Sequence, residues 1–418
     1  MNRLLLALAA STTLLALFTS TDSHAIPAYA RQTGMACMEC HFQHYPSLND
    51  FGRDFKAGGY TDMGKQAGKI EKEDLSLPEV LHSSLFFKLR YQKTNGEELP
   101  GQRTTNSGEF QFPDEFSLLF GGRITKNIGF FLEGQLAEPS APFLANFKIP
   151  FMFDVGTASK AGVIPFTSDS LGVPFGFELL NTGAVHNIKP FEHGRDTSAQ
   201  QYVAGEYPAE GVAFVFYNRL FFVNVSKWSP THVAAKQAQA HGKPKANYLR
   251  AAITPVVKDW DLGFGAQWWG GSAEIDDGTG TQTVAKVNTK EWAVDAQAQG
   301  MVGKLPLGIY LTHAVARGTS PGDTPNFFNI NPNDRKATAI AAELGIIPNK
   351  ATIMVGYRKG DTGDVTNGGD NAWLLGGTYQ IAQNVQLQLQ YSKYRGSLYD
   401  NPQPLGEQIM TFMLSSGF

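Results

Sequence analysis

Leu85-Phe86-Phe87-Lys88-Leu89-Arg90-Tyr91-Gln92 puts Leu85, Phe87, Leu89 and Tyr91 on one side of an extended chain and Phe86, Lys88, Arg90 and Gln92 on the other. Successive side chains of a strand point to opposite faces, so this segment has one apolar face and one mostly wet face. The pattern returns where Ile128, Phe130, Leu132 and Leu136 alternate with Phe131, Glu133 and Gln135. Similar segments lie near 114–124, 143–155, 172–181, 210–217, 220–228, 247–257, 260–270, 289–302, 305–317, 336–346, 350–359, 370–381, 384–395 and 406–418. With the first two they predict about sixteen strands.

The connections carry a second signal. Short links follow even-numbered strands at Asn218-Arg219, Lys258-Asp259, Gly303-Lys304, around Pro348-Asn349 and at Ala382-Gln383. Longer ones follow odd-numbered strands at 94–113, 182–209, 229–246, 271–288, 318–335, 360–369 and 396–405. Short turns alternating with long loops are the layout of an outer-membrane barrel. Two links depart from it: 157–171 is too long and 138–142 too short. The last segment, Ile409-Met410-Thr411-Phe412-Met413-Leu414-Ser415-Ser416-Gly417-Phe418, resembles the C-terminal strand of bacterial outer-membrane proteins, in which a terminal Phe is the assembly signal. The expected fold is mainly β: an antiparallel outer-membrane barrel of about sixteen strands over 80–418, rather than a soluble sandwich. Trp228, Trp260, Trp268, Trp269, Trp292 and Tyr391 near strand ends are candidates for its interfacial girdles.

Composition agrees with this class. The 418 residues are 42% hydrophobic and 17% charged, which excludes a disordered chain. Lys plus Arg number 35 against 38 Asp plus Glu, a formal charge of -3, so the basic stripe that nucleic-acid binding needs is missing. No apolar run of about 20 residues follows the start of the chain, which excludes spanning helices but not spanning strands.

The first 25 residues read as a signal peptide. Arg3 charges its start, Leu4 to Phe18 form an apolar core, and Ser23 and Ala25 occupy the -3 and -1 positions of a cleavage site before Ile26. Between this segment and the barrel, 26–79 holds the only two cysteines, in Cys37-Met38-Glu39-Cys40-His41. C-x-x-C-H is the spacing of c-type haem attachment: two thiols add to the haem vinyl groups and the next imidazole reaches the iron. The joint accident of this spacing is about one in 10,000. A redox C-x-x-C lacks its βαβ context here, and a zinc site lacks further thiol or imidazole ligands at finger-like spacing.

Cys37 and Cys40 are therefore the covalent attachment points of one haem c, and His41 the proximal iron ligand. The distal ligand stays open. His44 and Met38 lie too close to His41 to cross to the opposite haem face; Met63 and His82 are far enough along the chain, Met35 is weaker, and a water-ligated site is an alternative. Met in this position raises the reduction potential relative to a second imidazole. Tyr29, Phe42, Tyr45, Phe51, Phe55 and Tyr60 can cover haem edges, and Gly68 to Glu79 reads as a charged linker. At about 54 residues the haem segment is short for a free-standing cytochrome and needs a second surface. An even strand count puts both barrel ends on the periplasmic side. The hydrocarbon layer is about 30 Å thick, so one haem serves both faces only from inside the barrel, and the small domain is expected to plug the pore.

The run from Ala28 to His41, Ala28-Tyr29-Ala30-Arg31-Gln32-Thr33-Gly34-Met35-Ala36-Cys37-Met38-Glu39-Cys40-His41, continues in Tyr45-Pro46-Ser47-Leu48-Asn49-Asp50-Phe51-Gly52-Arg53-Asp54-Phe55-Lys56-Ala57-Gly58-Gly59-Tyr60. Together they resemble the fused monohaem cytochrome–porin family of iron-oxidising bacteria. The match is specific in this N-terminal stretch, and the barrel matches in layout alone. The resemblance implies an Fe(II)-oxidising oxidoreductase in the bacterial outer membrane, its N-terminal domain entering from the periplasmic side. By it, extracellular Fe(II) gives one electron to the haem, which passes it to a periplasmic c-type cytochrome. Cys37 and Cys40 correspond to the family's attachment residues and His41 to its proximal ligand. Alternatives of other classes are a solute porin with a haem-bearing plug, outward electron transfer to an external acceptor, and small-molecule redox catalysis at an open haem site. Glu274, Asp276 and Asp277 in one loop and Asp361 and Asp364 in another offer the oxygen ligands that Fe(II) favours, although solvated loop charges explain them as well. No P-loop, serine-nucleophile elbow or H-E-x-x-H motif is present.

Overall fold

Alternating segments of this kind have to pair on both edges if their backbone groups are to be satisfied in lipid. In a computed structural model describing residues 28–64, 68–73, 75–97, 105–137, 143–232, 243–276, 284–400 and 406–418, they do so by closing into one antiparallel barrel of sixteen strands. These are β1 (Ser83–Thr94), β2 (Glu109–Thr125), β3 (Ile128–Gln135), β4 (Leu144–Lys148 and Phe151–Val155), β5 (Ser159–Ser168), β6 (Ala209–Asn218), β7 (Phe221–Ser229) and β8 (Ala246–Ile253 and Val256–Val257). The ring continues through β9 (Trp260–Gly270), β10 (Glu291–Val302), β11 (Leu305–Ala316), β12 (Arg335–Ile347), β13 (Ala351–Asp361), β14 (Asn371–Ala382), β15 (Val385–Arg395) and β16 (Gln408–Gly417). β4 and β8 are interrupted at Pro150 and Pro255, where a proline offers no N–H to the ladder. β16 returns to β1, with Ile409 opposite Thr94 and Gly417 opposite Phe86. Leu85 and Phe418 exchange backbone hydrogen bonds of 2.7 and 2.9 Å, so the terminal Phe completes the closure.

The faces are those of a membrane barrel. In β10 and β11, Asp295, Gln297 and Thr312 are buried inward while Val294, Ile309 and Leu311 are exposed outward. In β15, Gln386, Gln388 and Gln390 point in while Leu389 and Tyr391 point out. An apolar exterior over a polar interior inverts a soluble protein and suits a lipid surround.

The sequence reading errs at the fifth strand. Gly172 to Asn181 is not a strand: Val173–Gly176 is a single 3₁₀ turn, and everything from 171 to 185 is buried. The run is apolar because protein surrounds it on all sides, and Pro174 removes a donor that a ladder would need. The strand is Ser159–Ser168, whose Lys, Gly, Pro, Ser and Thr residues resemble a link. With this correction the turn before β5 covers only 156–158, and the loop after it covers 169–208. The first departure from the alternation of short and long links thus disappears; the second, 138–142, lies outside the described residues. The girdle assignment fails for Trp228 and Trp269, which are fully buried and face inward, whereas Trp268 and Tyr391 are exposed. Trp269 follows Trp268 by one residue and so takes the opposite face.

Before the barrel come α1 (Ala28–Thr33), α2 (Cys37–Cys40) and α3 (Asp50–Ala57). The expected charged linker instead contains a two-stranded hairpin, Lys69–Lys72 paired with Leu75–Pro78. Lys69 to Lys72 are all exposed, so no apolar alternation announces a strand there. The signal-peptide residues 1–25 lie outside the described residues.

Loop 169–208 folds inward and is held by charge. Arg250 of β8 pairs with Glu178 at 2.9 Å and with Asp295 of β10 at 2.5 Å, all three side chains being fully buried. Glu192 takes Arg90 of β1 at 2.6 Å and Lys88 at 3.3 Å. Asp196 lies 3.5 Å from Arg358 of β13 and accepts from Ser392 of β15 at 2.5 Å. The Phe175 carbonyl accepts from Lys148 of β4 at 2.7 Å, and its ring packs on Phe131 of β3 and Phe166 of β5.

Because Leu311 faces lipid and Thr312 the lumen, the two neighbours respond differently to substitution. Leu311→Arg is expected to destabilise the barrel by about 2–4 kcal/mol at mid-bilayer depth. Thr312→Ser keeps the oxygen that accepts the Ala199 N–H and costs little. Urea titrations in lipid vesicles, read by tryptophan fluorescence, check the difference.

Candidate haem site

The attachment motif is one helical turn. Ala36 enters it extended, the His41 N–H closes it on the Cys37 carbonyl at 3.0 Å, and His41 leaves it extended. Cys37 and Cys40, three apart, share a face of that turn, partly exposed and present as thiols. His41 Nδ1–H donates to the Ser47 carbonyl at 3.1 Å, which fixes the ring and its tautomer and leaves the Nε2 lone pair for a metal. Burial pushes the His41 imidazole down to about 4, so it is neutral at physiological pH, as a ligand must be. Burial, then Cys37, Glu39 and Asp62, push the Cys40 thiol up to about 11. A dithiol redox centre needs the opposite, a thiol of lowered pKa. Among the described residues no group of three or more His, Cys, Asp or Glu could hold a bare metal ion. Two thiols and one oriented imidazole fit a c-type haem.

Residues that the sequence reading gave no role hold this turn in place. Asn49 caps α3 by accepting the Gly52 N–H at 2.9 Å, and its Nδ2 donates to the Glu39 carbonyl at 3.0 Å. Its own N–H goes to the Cys40 carbonyl at 3.1 Å. A Cβ at Gly52 would run into that same Cys40 carbonyl oxygen, so α3 approaches the motif this closely only with glycine. The signal available in sequence was Asn49-Asp50, an N-cap followed by an acid in the first turn.

The aromatics divide. Tyr29, Phe55 and Tyr60 pack together, Tyr29 stacked on Tyr60 at 4.7 Å and edge-on to Phe55 at 5.2 Å. Tyr45 turns instead to the barrel, its hydroxyl on Ser415 of β16 and its ring edge-on to Phe86 of β1. Phe51 is exposed.

The segment is bonded to the wall at the end of the barrel that carries the short turns. Tyr29 donates to the Phe130 carbonyl of β3 at 3.3 Å, Arg53 pairs with Asp261 of β9 at 2.6 Å, and Asp54 takes Arg219 at 3.1 Å and the Tyr217 hydroxyl of β6. His44 is fully used: Nδ1–H donates to the Tyr45 carbonyl at 2.5 Å, and Nε2 meets Glu343 of β12 at 2.6 Å with both side chains buried. Burial pushes the His44 pKa down, but the Glu343 carboxylate more than offsets this and holds it raised. Loop 169–208 joins in, since Leu48 and Asn181 exchange hydrogen bonds of 2.8 and 2.9 Å.

The two distal candidates are placed differently. Met63 is buried, in a turn that Gln32 draws back onto α1 by donating to the Tyr60 and Asp62 carbonyls at 2.7 and 2.6 Å. Asp62, beside it, is close enough to act on the Cys40 thiol. His82 sits half-buried where β1 begins, its Nε2 without a hydrogen-bond partner among the described residues. Burial and Arg31 lower the His82 pKa. Met63 is thus folded back onto α1, and His82 lies near enough to Arg31 to feel its charge.

Among the described residues, the acidic loop residues form no cluster of three or more that could hold a metal ion. Glu274 is paired with Lys245. Asp364 caps its own turn by accepting the Thr366 and Asn367 N–H groups at 2.8 and 2.9 Å, and Asp361 does the same for Gly363 at 2.9 Å. The Asp276 side chain and all of Asp277 lie outside the described residues.

No protein-family model matches the chain, and no curated protein matches it. Solved structures similar to it include the trimer form of OmpT, an outer-membrane protein of Vibrio cholerae, with TM-score 0.49, 12% identity, and coverage of 81% of this chain and 99% of that one. A porin gives TM-score 0.44 and 13% identity over 81% of this chain and 100% of its own, and OpdK of Pseudomonas aeruginosa gives 0.39 and 12% over 80% and 98%. At these scores the likenesses carry nothing beyond the similarity itself.

Proposed function

We propose that this chain is an outer-membrane electron-transfer protein that oxidises extracellular Fe(II) one electron at a time and hands the electron to a periplasmic cytochrome. One observation carries the reading: a C-x-x-C-H turn with its imidazole already oriented by the Ser47 carbonyl, on a segment bonded to the inner wall of a membrane barrel. A haem c held through the thiols of Cys37 and Cys40 would supply a one-electron couple. His41 Nε2, left free by the Ser47 hydrogen bond, would hold the haem iron, and the buried Met63 and the half-buried His82 are the candidates for a second ligand. The segment acts as the plug of the short-turn end, which is the periplasmic end in this reading, with Cys37, Cys40 and Phe51 partly exposed where a soluble acceptor approaches.

Stopped-flow spectroscopy of the oxidised, detergent-purified protein mixed anaerobically with Fe(II) tests this directly. Stoichiometric appearance of the ferrous haem bands is expected. A haem that stays ferric with Fe(II) but is reduced by dithionite rules out Fe(II) as donor and favours outward transfer or a gated porin.

Ligation is read separately. Met63→Ala is expected to abolish the red-region charge-transfer band of Met-ligated ferric haem and to lower the reduction potential, and Met63→His to restore a low-spin spectrum at lower potential. His82→Ala leaves both unchanged. The reverse result assigns His82.

The docking of the segment depends on pH through His44. Its raised folded-state pKa means that the attachment is fully present below the ordinary histidine pKa and is lost as pH rises through the raised value. Limited proteolysis should therefore release the segment more readily on the alkaline side. His44→Ala, which strands a buried carboxylate, is expected to cost about 3–5 kcal/mol of attachment and to remove that pH dependence.

A further inference from the structure

Loop 169–208 has no part in attaching the haem, yet it is among the most buried segments of the molecule. Every residue from 171 to 185 and from 196 to 203 is buried. In a ring of sixteen strands, those eight apart stand opposite each other, so the loop's contacts can be read as diameters. Glu192 holds β1 through Arg90 and Lys88, and on the far side Trp269 of β9 donates to Tyr207 at 3.1 Å. Phe175 packs on Phe166 of β5, and opposite it Asp196 meets Arg358 of β13. One loop thus spans two crossed diameters. A third anchor, Glu178 with Arg250 and Asp295, is fully buried, so the loop cannot swing away without stranding charges out of water.

We propose that loop 169–208 is a fixed diaphragm that closes the barrel to solutes, separately from the haem segment below it. Ordinarily a barrel of this size leaves an aqueous channel; here the loop fills it, and Leu48 and Asn181 join its lower face to the haem segment.

Conductance tests the diaphragm without reference to haem, whose content is read independently from the visible spectrum. Full-length protein in planar bilayers is expected to give no single-channel steps, and in liposomes to swell in sugar at the protein-free rate. The full-length variant E178Q/E192Q/D196N cuts all three anchors from the loop side and is expected to raise swelling by about tenfold or more, towards the open lumen of a barrel this wide. If that variant fails to insert as a heat-modifiable barrel, K88Q/R90Q/R358Q cuts two of the anchors from the wall side and is expected to leak likewise. Porin-like steps from the wild-type protein overturn the proposal. So does an inserted anchor variant that stays at the wild-type rate, since the haem segment would then be the seal.

Discussion

Closure of the sheet is the constraint on which the rest depends. Once β16 pairs with β1, every strand has two neighbours, and no edge is left to be covered in a membrane. Closure at sixteen strands also creates a problem that smaller barrels avoid, because the interior is too wide for wall side chains alone to fill. Loop 169–208 folds into that interior, and the segment 28–64 is bonded to the wall at the short-turn end. Both are attached to the inward residues of the strands, which is why Glu343, Asp295 and Arg358 are buried and charged in positions where a soluble core would be apolar.

This division of labour explains which parts of the structure were legible in the sequence. Strands whose two faces meet different solvents write that difference into the chain, and the outward Leu389 beside the inward Gln388 and Gln390 is legible for that reason. The C-x-x-C-H spacing is visible in the sequence as such, and the structure forms it as one helical turn. The inserted loop was not, because Gly172 to Asn181 is surrounded by protein on all sides and has no faces to distinguish. Its apolar run therefore imitated a strand, while the true strand at Ser159–Ser168, carrying Pro165 and a Gly, imitated a link. Trp228 and Trp269 failed likewise: a tryptophan near a strand end is the same letter whether it meets a lipid headgroup or, as here, Tyr207 inside the mouth.

The contacts of the haem segment follow a different logic from those of the loop. The loop is held by mostly buried ionic anchors at a few points, whereas the segment is held by hydrogen bonds and less buried ion pairs spread over β3, β6, β9 and β16, with His44 and Glu343 of β12 as its one fully buried ionic contact among the described residues. A buried charge pair contributes little net stability against an apolar alternative, but it strongly penalises any arrangement in which its partners are separated. Placed between a short segment and a distant strand, it therefore selects one docked position among many of similar area.

The orientation of His41 shows what the segment takes from the barrel. About 54 residues are too few to build a core that fixes an iron ligand unaided. The imidazole is set by the Ser47 carbonyl, and the next residue, Leu48, is set by Asn181. Asn181 in turn donates its N–H to Gln297 of β10 at 2.9 Å. Three hydrogen-bonded steps thus lead from the His41 imidazole to the wall, and both ends of the first lie between α2 and α3. A segment of this length needs no core of its own when a closed sheet provides one, and the position of the C-x-x-C-H turn depends on the barrel for that reason.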